Sequence, residues 1–119
     1  MLRGNCHCGA IKIRFDAVPE FGLSCNCSVC RRLGVVWIYT LTENVSFEEG
    51  HEAITAYAWG DKNIEFHTCK TCGCTTHWAR TVPEPGVKMA VNMMLCEPKD
   101  IEGIPIRPFD GAETWEFLD

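Results

Sequence analysis

Several short stretches alternate apolar and polar residues with period two. That alternation belongs to β-strands, whose successive side chains face opposite ways. In Ile11-Lys12-Ile13-Arg14-Phe15 three apolar residues share one face and two cations the other, which predicts a half-buried strand. Residues 36–41 are β-branched and aromatic and predict a second. Segments 53–59, 63–68, 87–95 and 114–118 also read as extended, with Val87, Met89, Val91, Met93 and Leu95 on one face. Segment 27–33 alone admits a helical turn. Six prolines and ten glycines cut the chain into pieces that suit strands and turns better than long helices. The pattern predicts a mainly β, antiparallel architecture.

The 119 residues contain no repeat, low-complexity tract or flexible linker, so one domain spanning 1–119 is expected. Eleven basic against sixteen acidic residues give a net charge of −5, and no Lys/Arg-rich block is present. That balance excludes a phosphate-neutralising surface, so no nucleic-acid partner is expected. Without a polybasic or amphipathic segment, or an apolar run of about 20 residues, no membrane partner is expected either. Met1 to Cys6 carries no apolar stretch of the signal-peptide kind, from which a cytoplasmic location is expected.

Cysteine changes this ordinary picture. Nine are present, and eight fall in three clusters: Cys6-His7-Cys8-Gly9, Cys25-Asn26-Cys27-Ser28-Val29-Cys30 and Cys69-Lys70-Thr71-Cys72-Gly73-Cys74. An odd count and close Cys-x-Cys pairs argue against a disulfide framework and for metal. Zinc takes about four S or N ligands in a tetrahedron, most simply two from each of two turns, and a following glycine relieves the backbone of each turn. Two zinc ions per chain therefore fit better than one. A closed site would use Cys6, Cys8, Cys69 and Cys72, and a second would use Cys25, Cys27 and Cys30 with one position open. Spacing alone leaves the pairing undecided, and Cys74 could close the second tetrahedron and make both sites structural. Cys96 reads as a buried small hydrophobe.

His67 and His77 flank the third cluster and read as structural hydrogen-bonding residues, with proton transfer or metal ligation as the alternative roles. Trp37, Tyr39, Trp59, Trp78, Trp115 and the phenylalanines read as core, with Trp78 and Tyr39 kept as candidates for a substrate wall.

At these motifs the sequence resembles the glutathione-dependent formaldehyde-activating enzyme family, which includes the centromere protein V-type domain and has the Mss4-like fold. The matching residues are Gly4-x-Cys6-His7-Cys8-Gly9-x-Ile11, Cys25-Asn26-Cys27-Ser28-x-Cys30-Arg31-Arg32-x-Gly34, Phe66-His67-x-Cys69-x-x-Cys72-Gly73 and Val91-Asn92, spanning about residues 4–98. The resemblance implies a structural zinc on Cys6, Cys8, Cys69 and Cys72 and a catalytic zinc on Cys25, Cys27 and Cys30. It also implies a carbon–sulfur lyase acting on a small thiol such as glutathione, or on its aldehyde adduct, as in an S-(hydroxymethyl)glutathione synthase. Hydrogen bonds from Asn26, Ser28 and backbone N–H groups would tune the second set of thiolates. Met94 stands where many relatives carry an arginine, and Arg31, Arg32, Lys70, Arg80 and Lys88 are the cations that would compensate. The competing class is a non-catalytic zinc-stabilised binding or scaffold module, because fold does not fix function.

Overall fold

The computed structural model of the protein describes residues 1–16, 18–82 and 84–119. Among them ten strands form two sheets. The smaller sheet has the order β1-β2-β5, from Leu2–Asn5, Lys12–Phe15 and Val45–Glu49. The larger has seven strands in the order β10-β3-β4-β9-β8-β7-β6. These are β3 Gly22–Cys25, β4 Trp37–Leu41, β6 Ile54–Ala58, β7 Ile64–Cys69, β8 Thr75–Arg80, β9 Lys88–Asn92 and β10 Ile106–Phe109. Two one-turn helices, α1 Cys30–Leu33 and α2 Pro98–Ile101, and three 3-10 turns complete the regular structure among the described residues. No helix among the described residues is long and apolar enough to cross a membrane.

Alternation along the strands gives the large sheet two different faces. Ile38 of β4 and Met89 and Val91 of β9 point toward the small sheet and pack with Leu2, Ile13 and Phe15 in the main core. Trp37 of β4, Phe66 of β7 and Ala90 of β9 point the other way and pack with Cys30 and Val35. The second face carries the functional residues described below.

The predicted strands at 11–15, 36–41, 53–59 and 63–68 coincide with β2, β4, β6 and β7. The predicted strand 87–95 is cut short: β9 ends at Asn92, whose side-chain oxygen accepts from the Met94 N–H and starts a 3-10 turn over Met93–Leu95. Met93 and Leu95 still reach the same core as Met89 and Val91. Segment 114–118 is not a strand. The Asp110 carboxylate accepts from the N–H groups of Glu113 and Thr114, which folds the chain back and leaves only an isolated bridge between Phe109 and Phe117.

The purely antiparallel expectation also needs correction, because β10 pairs with β3 in parallel. Pro108 lies inside β10 opposite Ser24, which is tolerated because β10 is an edge strand and needs donors on one side only. Strand β8 escapes a hydrophobic-pattern reading because its buried residues are polar: Thr75, Thr76 and His77. Thr76 is satisfied there by donating its hydroxyl to the His67 carbonyl.

Candidate metal centres and the adjoining cavity

The structure brings Cys6, Cys8, Cys69 and Cys72 together, with all four Sγ atoms within 4.8 Å of one another. Two knuckles of similar form supply them. Gly9 follows Cys8 and donates its N–H to the Cys6 carbonyl at 3.0 Å; Gly73 follows Cys72 and does the same to the Cys69 carbonyl at 3.0 Å. Both glycines have φ of +81°, which nearly all other residues avoid. The Ile11 N–H adds a bond to Cys6 Sγ at 3.3 Å. Cys6 and Cys69 are fully buried in the main core, so the cluster joins the end of β1 to the end of β7 through that core.

The donor set fits zinc. Four sulfurs about 2.3 Å from a tetrahedral ion lie about 3.8 Å apart, and Cys8 Sγ stands 3.7 Å from both Cys6 Sγ and Cys69 Sγ. Backbone N–H groups of Cys74 and Cys8 pull Cys72 down to about 5. The Ala10 N–H acts the same way on Cys8, but desolvation and the neighbouring thiols outweigh it and raise Cys8 to about 11. Such crowding divides the protons unequally, and a divalent cation is what allows every sulfur to be a thiolate at once.

Cys25, Cys27 and Cys30 form the second cluster, again with Sγ atoms within 4.8 Å. They come from the end of β3, the following turn and the start of α1. Cys27 N–H donates to Cys25 Sγ and Cys30 N–H to Cys27 Sγ, each at 3.4 Å. Trp37, fully buried beneath the cluster, donates its indole N–H to Cys30 Sγ at 3.3 Å. Burial pushes the Cys30 thiol up, and this indole bond opposes it. At Cys27 desolvation is overcome by the Cys30 N–H and the flanking thiols, and its pKa falls below the ordinary thiol value.

Cys74 does not join this second cluster. It lies beside Cys72 and Cys6, where burial and their charge outweigh the His7 backbone N–H and push its thiol up. Among the described residues no fourth Cys, His, Asp or Glu donor completes the three-thiol set. Asn26 does not bond the sulfurs either. Its amide donates to Asp110 Oδ1 at 3.0 Å and its oxygen accepts from the Ala112 N–H at 3.0 Å, lashing the C-terminal segment over the cluster. Asp110 also accepts the Thr114 hydroxyl at 2.8 Å, and these bonds, led by Asn26, hold its carboxyl below the usual carboxylate value. Gly111 completes the closure, because any Cβ there would collide with Cys25 Sγ.

A cavity of about 950 Å³ opens beside the three thiols. Tyr39 and Trp78 form one part of its wall, packed edge to face at 5.8 Å, as the sequence allowed for these two. Trp59, Phe66, Phe109 and Trp115 line it as well, which corrects their reading as core alone. Trp37 keeps its reading as core, and Cys96 its reading as a buried small side chain. Of the candidate compensating cations, Lys88 lines the cavity, whereas Arg31, Arg32, Lys70 and Arg80 do not; Met94 is exposed and lies outside it too.

The histidines lie on the other face of the sheet. His67 and His77 stack at 4.3 Å, His77 Nδ1 stands 2.9 Å from the Thr76 hydroxyl, and its ring meets Phe47 of the small sheet at 5.0 Å. Neither lines the thiol-lined cavity. Besides the cysteines, the titratable side chains lining the cavity are Tyr39 and Lys88. Desolvation first, and then the charge of Cys30, Cys25 and Cys27, raise Tyr39 to about 12, so its phenol stays protonated at neutral pH.

With two sulfur clusters, glycine knuckles and two packed sheets in place, comparison with known proteins is direct. Residues 1–102 match the family described as glutathione-dependent formaldehyde-activating enzyme, and the chain belongs to that family. The architecture is consistent with the Mss4-like fold. A crystal structure of a Rhodobacter sphaeroides protein, a Northeast Structural Genomics target, is similar with a TM-score of 0.72 and 29% identity, covering 88% of this chain and 99% of that one.

Sequence reasoning missed the Trp37 donor, the Asp110 anchor and the contribution of residues 106–119 to the cavity wall. The Asp110-Gly111 pair was the available signal, since that dipeptide marks a tight turn.

Proposed function

We propose that residues 1–119 form one domain holding two zinc ions, and that it acts as a carbon–sulfur lyase on a small thiol and an aldehyde. Cys6, Cys8, Cys69 and Cys72 hold the structural ion, and Cys25, Cys27 and Cys30 hold the catalytic one. The observation that carries this reading is the three-thiol cluster on the wall of a 950 Å³ cavity, with no fourth protein donor among the described residues. Three protein ligands are the count of catalytic zinc sites, and four that of structural ones. When bound, the zinc supplies the charge that keeps a substrate thiol in its thiolate form at neutral pH.

The chain's own residues do the rest. The indole of Trp37 and two backbone N–H groups fix the three sulfurs in place. Tyr39 stays protonated and offers its hydroxyl to the aldehyde oxygen. In the forward direction the thiol gives up its proton to solvent, the sulfur forms a bond to the carbonyl carbon, the C=O π pair moves to oxygen, and one proton returns from solvent to that oxygen. The product is a hemithioacetal, and the reverse reaction cleaves the same C–S bond. A reducing compartment such as the cytoplasm suits nine cysteines, all of them free thiols.

The test combines zinc content with NMR exchange spectroscopy on equilibrium mixtures of formaldehyde with glutathione and, separately, with benzyl mercaptan. The expected result is two zinc ions per chain and an exchange rate between free and thiol-bound aldehyde that rises with enzyme and not with Cys30→Ala protein. Equal exchange with both proteins for both thiols would end the lyase reading and leave a non-catalytic zinc-stabilised binding module.

A further inference from the structure

The family match ends at residue 102, yet the cavity does not. Phe109, Gly111, Ala112, Trp115 and Phe117 all line it, and all belong to the C-terminal strap that begins with β10. The strap is tied to the rest of the chain and closed on itself. Asp110 and Asn26 tie it to the cysteine turn, and Arg107 pairs with Asp119 at 3.0 Å while its guanidinium lies over the Phe117 ring at 3.8 Å and the Phe21 ring at 4.9 Å. Between these ties its aromatic side chains brace one another. Phe109 meets both Trp115 and Phe117 edge to face at 5.1 Å.

The wall so built is chemically one-sided. Facing the strap stand Tyr39, Trp59 and Trp78, and Lys88 is the cation among the described lining residues, with no carboxylate beside it. A glutathione moiety brings two carboxylates and an ammonium group. Each loses hydration on entering, and a charge buried without a partner is strongly disfavoured. Lys88 matches one carboxylate; Arg32 lies outside the cavity, in the adjoining groove, where its guanidinium already donates to the Ser28 carbonyl, and the ammonium has no carboxylate among the described lining residues. A ring or branched hydrocarbon loses no such hydration here and gains face and edge contacts with the indoles. A volume of about 950 Å³ is also at the upper end of small-molecule pockets, far more than formaldehyde requires.

We propose that the strap over residues 106–119 is the specificity wall of this site, and that it selects thiol–aldehyde adducts carrying an apolar group of aromatic size over adducts of glutathione. This rests on the lyase reading for the reaction, and adds to it the substrate class and the segment that chooses it.

Titration calorimetry on the full-length, zinc-replete protein tests it, with three probes: benzyl mercaptan, its S-methyl thioether and glutathione. Benzyl mercaptan is expected to bind at least tenfold tighter than glutathione. In Trp115→Ala, where the lost side chain is 72% exposed and the fold is retained, that ratio is expected to shrink about tenfold. Glutathione binding as tightly as benzyl mercaptan, an unchanged ratio in Trp115→Ala, or no binding of any probe would overturn the proposal. Equal binding of the thioether and the thiol, with the aromatic preference intact, would support the wall and count against the lyase reading, so the two fail separately.

Discussion

Cys6, Cys8, Cys69 and Cys72 come from two knuckles 61 residues apart, each closed by a glycine of positive φ, and two of the four sit in the main core. Cys25, Cys27 and Cys30 come from one continuous segment on the opposite face of the large sheet, beside a cavity. The ligand atom is the same in both. The first set is complete within the protein and joins distant parts of the chain, so its metal would act on folding. The second is incomplete among the described residues and joins nothing distant, so its metal would act on whatever enters the cavity. On the proposed reading, donor count and surroundings, and not ligand chemistry, separate a metal that stabilises from one that reacts.

The strongest way to break this contrast is to remove a ligand from the first set. Cys6→Ala or Cys72→Ala should destabilise the protein by more than about 4 kcal/mol, the range reached on losing a metal or a core, read as a collapse of the thermal transition and loss of both zinc ions. A folded variant holding one zinc would refute the structural assignment. Cys30→Ala should instead keep the fold and the first zinc while lowering turnover more than about 100-fold, since even outer partners of a metal are worth about 10- to 100-fold.

Trp37→Phe sharpens the comparison without touching a ligand. It removes the N–H that Cys30 Sγ accepts and should weaken zinc at the second site alone by about 10-fold or more, measured by competition with a chromophoric chelator. Next comes Asp110, whose folded pKa lies below its ordinary 3.8. A depressed carboxyl contributes stability above its unfolded pKa and loses it as pH falls through the folded one. The stability difference between the parent and Asp110→Asn should therefore be full above about pH 4 and fade in more acidic solution; a difference independent of pH would contradict the role given to the carboxylate. Smallest of all, Cys74→Ser should leave two zinc ions and change turnover by less than about twofold, as expected outside both ligand sets.

Much of this was legible along the chain. Close thiol pairs with a following glycine announce a metal knuckle because the glycine relieves the backbone of the turn, but spacing left open which knuckles join, and the grouping of Cys6, Cys8, Cys69 and Cys72 was a preference until the structure brought them together. Strands β2, β4, β6 and β7 were legible from local signals, alternation in β2 and the β-branched and aromatic run of β4 among them. Strand β8 was not, since Thr75, Thr76 and His77 are buried through hydrogen bonds made to other parts of the chain. Strand β10 was not, since Pro108 is acceptable only at a sheet edge, and being an edge is a property of the assembled sheet.

Sequence by itself determined the donor chemistry, the knuckles and the period-two pattern, because each depends on residues within a few positions of one another. Tertiary structure decided which cluster Cys74 joins, that His67 and His77 turn away from the thiols while Tyr39 faces them, and that residues 106–119 return to line the cavity. These depend on strand order and on which face a residue presents once the sheet has formed, and a shift of one residue would exchange the faces.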